Sequence, residues 1–269
     1  MTKVVILCGG KGTRLREETE YKPKPMVKIG ENPILWHIMK IYSHYQLHDF
    51  VLCLGYKGDA IKQYFYNYEI MNNDFTINIG SKERRILSND FNESNWTITL
   101  ANTGLEVMTG SRIKQIEKYI DGDYFLATYG DAIGDINIDE LIEFHKKTGK
   151  IATLTGIKPQ SKYGVLETFE DSIVRFNEKP QTEDYVNGGF FVFEREIFDY
   201  LNLDSECVLE NGPLEALARE NQLAIYRHDG FWQCMDTYRD FEHLNSMVSS
   251  GNTPWMIWKK DNEKQVLEK

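Results

Sequence analysis

The chain has 269 residues, 41% of them hydrophobic, and a formal net charge of −10 at pH 7. That length can bury a substantial core in one α/β domain, and the acidic balance argues against nucleic acid or an anionic membrane as the main partner. There is no charged-then-apolar leader and no apolar run near the roughly 20 residues that span a bilayer, and Cys8, Cys53, Cys207 and Cys234 show no CxxC pairing, so the expectation is a soluble, cytoplasmic protein without structural zinc or disulfides.

The first predicted strand, Val4-Val5-Ile6-Leu7-Cys8, breaks into Gly9-Gly10-Lys11-Gly12-Thr13-Arg14, and Lys22-Pro23-Lys24-Pro25-Met26 follows. A glycine-rich turn at a strand end exposes backbone N–H groups, and Lys11, Arg14, Lys22 and Lys24 add fixed positive charge. Residues 1–30 hold seven Lys and Arg against three Glu, so the local field opposes the global one. The combination reads as a phosphate receptor. It is not a P-loop, because Gly12 rather than Ser or Thr follows Lys11, nor a dinucleotide fingerprint, because position 15 is Leu. Lys24 lies between two prolines, on a stiff, non-helical backbone that restricts its origin.

Downstream, short apolar runs at 50–54, 124–128, 151–155 and 189–193 alternate with helical periodicity near 33–46, 57–68, 111–120, 138–148, 213–220 and 238–248. The pattern predicts an α/β fold: a Rossmann-like, mostly parallel mixed sheet with helices on both faces. The stretch 70–105 breaks the rhythm. There 75–79 and 96–100 alternate like strands with one polar face, which reads as a small strand-rich insertion, with Glu83-Arg84-Arg85 and Asn89-Asp90 in loops, inside a single domain of residues 1–269. The tail from Lys259 to Lys264 is polar and prone to fray. Ligands of open α/β sheets bind beyond the carboxyl ends of the strands, so the glycine loop and Asp131, directly after 124–128, fall on one edge. Asp131 equally reads as a turn or helix cap, and Asp236, just before the helix near 238–248, as a helix cap. The six histidines do not cluster.

The loop Gly9-Gly10-Lys11-Gly12-Thr13-Arg14-Leu15 followed by Pro23-Lys24-Pro25-Met26 is similar to the signature of the sugar-1-phosphate nucleotidylyltransferases. Further matches are Pro33-Ile34-Leu35-Trp36-His37-Ile38-Met39, Gly55-Tyr56-Lys57-Gly58, Tyr129-Gly130-Asp131, Glu178-Lys179-Pro180, Asn187-Gly188-Gly189-Phe190-Phe191 and 230–237. Within that family the chain most resembles the glucose-1-phosphate cytidylyltransferases. The resemblance runs from residue 3 to about 245 and is weakest in 70–100.

The resemblance implies attack of a sugar 1-phosphate, glucose 1-phosphate in this branch, on the α-phosphorus of CTP, giving CDP-glucose and pyrophosphate. It implies Arg14, Lys24 and Lys179 as catalytic residues, and a nucleotide site of Leu7, Gly9, Gly10, Lys11, Gly12, Thr13, Arg14, Lys24, Arg112 and Gly130. The acceptor would meet Tyr129, Gly164, Glu178, Lys179, Asn187 and Gly188. Asp131 and Asp236 would hold Mg2+, a hard ion that takes one or two carboxylates beside phosphate oxygens. A homo-oligomer is implied as well. Where those cytidylyltransferases have Ser-Ser before Met-Thr-Gly, this chain has Glu106-Val107. Losing a hydroxyl donor can change nucleotide or acceptor choice, so a different phosphorylated acceptor stays open. The segment Gly156 to Tyr163, richer in basic residues, points the same way. A catalytically silent nucleotide-sensing subunit is the other alternative.

Overall fold

The computed structural model describes residues 2–87, 93, 95–160, 163–178 and 181–259. Seven strands form the central sheet: β1 (Lys3–Cys8), β2 (Asp49–Leu54), β3 (Thr97–Asn102), β4 (Tyr124–Tyr129), β5 (Ala152–Ile157), β6 (Val186–Glu194) and β7 (Leu223–His228). Their spatial order is β7-β5-β6-β4-β1-β2-β3. Pairing is parallel for β1 with β2 and β4, for β2 with β3 and for β5 with β7, while β6 runs antiparallel between β4 and β5. The mostly parallel α/β sheet expected from the sequence is present.

The apolar runs explain the layers. In β1 the five residues after Lys3 are buried, as a strand covered on both faces requires. Alternation sends Val4, Ile6 and Cys8 into one core with α1 (Ile34–His44), α2 (Gly58–Tyr66), α4 (Ile138–Thr148) and α6 (Tyr238–Ser249). Val5 and Leu7 join the other core, with α3 (Thr109–Gln115) and α5 (Pro213–Arg219). Local signals fix the helix ends: α4 begins where the Asn137 side chain accepts from the Glu140 N–H and stops at Gly149, whose φ of +61° suits a residue without a Cβ.

Three features differ from the expectation. Thr97–Asn102 is not part of the insertion but the edge strand β3, with Asp49 opposite Thr97; an edge strand shows one polar face, the same alternation an inserted hairpin shows. The short pair Phe75–Ile77 and Arg84–Ile86 remains as the insertion's ladder, so Arg84 and Arg85, expected in a loop, are strand residues. Strand β7 and a hairpin of Val165–Phe169 with Ser172–Asn177 had no clear sequence signal. Asn89, Asp90 and the tail beyond Lys259 lie outside the described residues. Among the described residues no helix is long and apolar enough to cross a membrane.

One buried histidine makes stability depend on pH. His37 on α1 is 1% exposed; its Nε2 donates to the Ile29 carbonyl at 2.9 Å, and its Nδ1 accepts from Trp255 Nε1 at 3.4 Å. A second ring proton would face that indole N–H, and burial already holds the ring pKa down to about 4. Because the folded value lies below the unfolded one of about 6.5, the unfolded chain binds more protons between these values and stability falls as pH drops through that window. Buried His145, also lowered to about 4 chiefly by burial, acts in the same sense. Urea titrations at pH 7 and pH 5 should show a loss of about 2 kcal/mol per such histidine, and His37→Gln should reduce the pH dependence by about half; an unchanged dependence would refute His37 as a contributor.

Candidate active site

The carboxyl ends of β1 and β4 meet at the middle of the sheet, where Gly130 N donates to the Leu7 carbonyl at 3.1 Å. A cavity of about 320 Å³ opens there, lined by Leu7, Gly9, Gly10, Gly12, Thr13, Arg14, Lys24, Arg112, Tyr129, Gly130 and Asp131, together with Val107, Met108 and Thr109. Most of the residues singled out in the sequence for nucleotide binding therefore share one wall. Lys11 lies beside it, ion-paired with Glu106 at 2.6 Å across the two loops.

Lys24 organises the floor. Pro23, at φ −70° and ψ 151°, launches a single 3-10 turn over Lys24–Met26, which buries the lysine stem and turns its ammonium toward two carboxylates. The Nζ donates to Asp131 Oδ2 and to Asp236 Oδ1, both at 2.6 Å. Burial alone would depress the ammonium pKa, but the two carboxylates outweigh it and raise the value above that of an ordinary lysine. Burial would likewise raise the Asp236 carboxyl, yet hydrogen bonding and charge from Lys24, a Cys234 hydrogen bond and the Arg14 charge hold it below the usual range. Arg14 reaches Asp236 Oδ2 at 3.0 Å from an exposed position at the mouth.

The two aspartates, 105 positions apart, are joined by a short ribbon in which Ala132–Gly134 pairs antiparallel with Trp232–Cys234, and Met235 N donates to the Asp131 carbonyl at 2.9 Å. Asp236 is not the cap of the helix that follows. Thr237 caps α6 in a capping box with Asp240, and Asp240 also accepts from the Asp236 N–H at 3.1 Å, which frees the Asp236 carboxylate to face Lys24.

Arg112 is 4% exposed and is surrounded by backbone. Its Nη1 donates to the Gly104 carbonyl and to Thr103 Oγ1, each at 2.7 Å, and its Nη2 to the Gly9 carbonyl at 3.3 Å. The guanidinium thus ties the glycine loop to the ends of β2 and β3. Gly9 and Gly55 are glycines for this reason: a Cβ would lie 2.2 Å from Arg112 Cζ at the first and 2.7 Å from Nη1 at the second. Gly55 is a bracing residue that the sequence offered only as part of Gly55-Tyr56-Lys57-Gly58.

The residues expected on the acceptor side form two groups. Tyr129, at the end of β4, accepts from Asn187 Nδ2 at 3.1 Å and donates to Glu210; the Gly188 carbonyl accepts from Trp232 Nε1 at 2.8 Å. Gly189, at φ +78°, has no room for a Cβ against the Tyr129 ring. Gly164 and Glu178 face each other at the base of the hairpin, where a Cβ on Gly164 would lie 3.2 Å from Glu178 Oε2. Lys179 lies outside the described residues. Glu210 had no sequence signal; it stands in an unpatterned Leu209-Glu210-Asn211-Gly212 segment.

The sequence profile of the family described as nucleotidyl transferase matches residues 3–248. A "Probable glucose-1-phosphate cytidylyltransferase" of Bacillus subtilis (strain 168) is 45% identical over 257 residues, covering 95% of this chain and all of that protein. The glucose-1-phosphate cytidylyltransferase of Salmonella typhimurium (strain LT2) is 44% identical over 258 residues, covering 95% and 99%. The crystal structure of HddC from Yersinia pseudotuberculosis complexed with GMP-PN superposes with a TM-score of 0.66 over 92% of this chain and 100% of that one. At 21% identity that likeness shows a shared fold alone.

The bracing role of Arg112 separates two neighbouring glycines. Gly55→Ala should cost roughly 1–3 kcal/mol in urea unfolding through overpacking against the guanidinium and the Gly9 carbonyl. Gly10→Ala, where a Cβ would meet nothing within 4 Å, should stay within about 0.5 kcal/mol of the parent. Equal losses at the two positions would contradict the assignment.

Proposed function

The chain belongs to the nucleotidyl transferase family, and from that premise we propose that it transfers a cytidylyl group from CTP to glucose 1-phosphate, releasing pyrophosphate and forming CDP-glucose. The observation that carries the reading is the Lys24 ammonium held between Asp131 and Asp236 at 2.6 Å from each, beside a glycine loop at the carboxyl end of β1. The acceptor and base come from the two relatives at 44–45% identity.

The chemistry explains the residue types. A phosphate monoester has its second pKa near 6 and is largely dianionic at pH 7, so the reaction needs no nucleophilic side chain and no general base. One oxygen of the sugar phosphate bonds to the α-phosphorus while the bond to the bridging oxygen of the β-phosphate breaks, and the electron pair leaves with pyrophosphate. What the protein supplies is position and charge. Backbone N–H groups of Gly9, Gly10, Gly12 and Thr13 receive the nucleotide phosphates; Arg14 and Lys11, at the mouth, neutralise the departing pyrophosphate. Lys24 stabilises charge on the α-phosphate, and Arg112 holds the loop in shape from behind. Tyr129, Gly164, Glu178, Asn187 and Gly188 serve the acceptor, with Lys179 on its phosphate.

Asp131 and Asp236 fit a magnesium ion: they offer hard carboxylate oxygens converging on one cation position, and the Asp131 side chain keeps about a third of its surface open. When bound, Mg2+ would neutralise phosphate charge and polarise the α-phosphate. Val107 lines the same cavity as the glycine loop and Tyr129, so the replacement of a hydroxyl there bears on the nucleotide or on the acceptor. Apolar side chains exposed along the hairpin, Phe169, Val174 and Phe176 among them, support a homo-oligomer.

Pyrophosphate release with CTP, glucose 1-phosphate and Mg2+ tests the reading, with UTP and other phosphorylated acceptors as comparators. CTP with glucose 1-phosphate should give the highest kcat/KM, chelation should abolish turnover, and Lys24→Ala and Asp236→Asn should each lower kcat by about 100-fold or more. Rapid turnover of another acceptor beside none of glucose 1-phosphate would overturn the substrate assignment; a Lys24→Ala enzyme at full rate would overturn the mechanism.

A further inference from the structure

Glu210 spends its two carboxylate oxygens on two different walls. Oε1 accepts from the Tyr129 hydroxyl and Oε2 from Thr109 Oγ1 at 2.8 Å. Tyr129 ends β4 next to Asn187, on the acceptor side, whereas Thr109 opens α3 on the nucleotide side. The segment that carries Glu210 is seated firmly: the Ser205 and Cys207 carbonyls accept from the N–H groups of Met108 and Ser111 at 2.8 and 3.1 Å, and Leu209 N donates to Thr109 Oγ1 at 2.9 Å. Gly110 makes this docking possible, since a Cβ there would lie 2.8 Å from Cys207 Sγ.

Counting protons shows what the carboxylate does. A phenol has one O–H, and Tyr129 gives it to Glu210, so toward the acceptor its oxygen offers only lone pairs. Asn187 donates through Nδ2 to that oxygen at 3.1 Å and accepts the Gly189 N–H through Oδ1 at 2.9 Å, which fixes its amide and leaves one N–H to give. Since Asn187 already occupies one lone pair of the phenol oxygen, the wall offers a fixed acceptor on Tyr129 beside a fixed N–H on Asn187, a pair that a sugar hydroxyl, itself donor and acceptor, can bridge. We propose that Glu210 is a positioning residue: it sets the hydrogen-bond direction of the acceptor pocket through Tyr129 and Asn187, and it locks that wall to the nucleotide wall through Thr109. The inference rests on the proposed acceptor role of Tyr129 and Asn187.

The test uses the full-length chain with Glu210→Gln, Glu210→Ala, Tyr129→Phe and Thr109→Val, reading kcat and KM for the sugar phosphate, Kd for CTP and the melting temperature. Glu210→Ala should raise the acceptor KM by about 10-fold or more, beyond its effect on kcat, since a site built around a hydrogen bond loses most when its direction is lost. Glu210→Gln still accepts from Tyr129 and can donate its amide to Thr109 Oγ1, so it should recover the KM to within about 3-fold. Tyr129→Phe should match Glu210→Ala in KM, and Thr109→Val should weaken CTP binding more than acceptor binding. An acceptor KM within 2-fold of the parent in Glu210→Ala, or equal damage from Gln and Ala, would overturn the proposal. Should Glu210→Ala not fold, Glu210→Gln against Tyr129→Phe decides by the same criterion. If the parent turns over a different sugar phosphate, the proposed substrate fails and the same ratios are read with that acceptor. If it turns over none, calorimetric binding of glucose 1-phosphate to the same variants replaces KM.

Discussion

Two carboxylates brought to the same point at the end of a sheet repel each other, and everything around this site is arranged so that a cation stands between them. Like charges about 4 Å apart cost about 1 kcal/mol in water and about 4 at the effective dielectric of a protein surface. Asp131 and Asp236 meet that constraint with a lysine whose backbone origin is fixed by Pro23 and Pro25, so the ammonium arrives without a long search. The short ribbon joining residues 132–134 to 232–234 holds the carboxylates, and the Thr237–Asp240 capping box absorbs the helix N-terminus that would otherwise have drawn Asp236 away. The result is a neutralised pocket in a chain of net charge −10, ready for polyanionic phosphates.

Arg112 contributes a second, different cation. Among the described residues no carboxylate is a hydrogen-bond partner of its guanidinium; carbonyl dipoles from Gly9, Leu54, Gly104 and Leu105 and the Thr103 hydroxyl surround it. Burial lowers the guanidinium pKa, while the Glu106 charge favours the protonated form, and a guanidinium remains protonated across the whole accessible range. Its positive field therefore persists behind the glycine loop, whereas the ammonium of Lys24 stands at the floor between Asp131 and Asp236. One cation shapes the loop and the other neutralises the floor.

How legible this was in the sequence depends on the range of each interaction. The β1 strand, its glycine loop and the proline-flanked lysine are local events, and short-range rules read them correctly. The helix starts were readable too, with one instructive exception: Asp236 looks like a cap because Asp before Thr is a good helix start, and only the tertiary structure shows Thr237 capping instead. The meeting of Asp131 with Asp236 has no local spacing; the residues alone left both as caps, and family resemblance was needed to pair them. Thr97–Asn102 was misplaced because an edge strand and an inserted strand bury one face alike. Glu210 and Gly55 were invisible as functional positions, since their reasons are a tyrosine and an arginine distant in sequence.

The two halves of the site are built from different materials, and this bears on what can vary between relatives of one fold. The half proposed for the nucleotide is built from a glycine loop in which Gly9 has no room for a Cβ and from cations pinned by prolines or carbonyls, on the parallel strands β1 and β4. A side chain at Gly9 would collide with the buried Arg112 guanidinium, 2.2 Å away. The half proposed for the acceptor is side chain against side chain: Asn187 to Tyr129 to Glu210, carried partly by the antiparallel strand β6 and a hairpin whose strand residues are nearly all exposed. On the proposed reading, such a construction would let the acceptor wall change while the glycine loop and its cations stay in place, and within this chain that freedom is constrained by Glu210, which bonds both Tyr129 and Thr109.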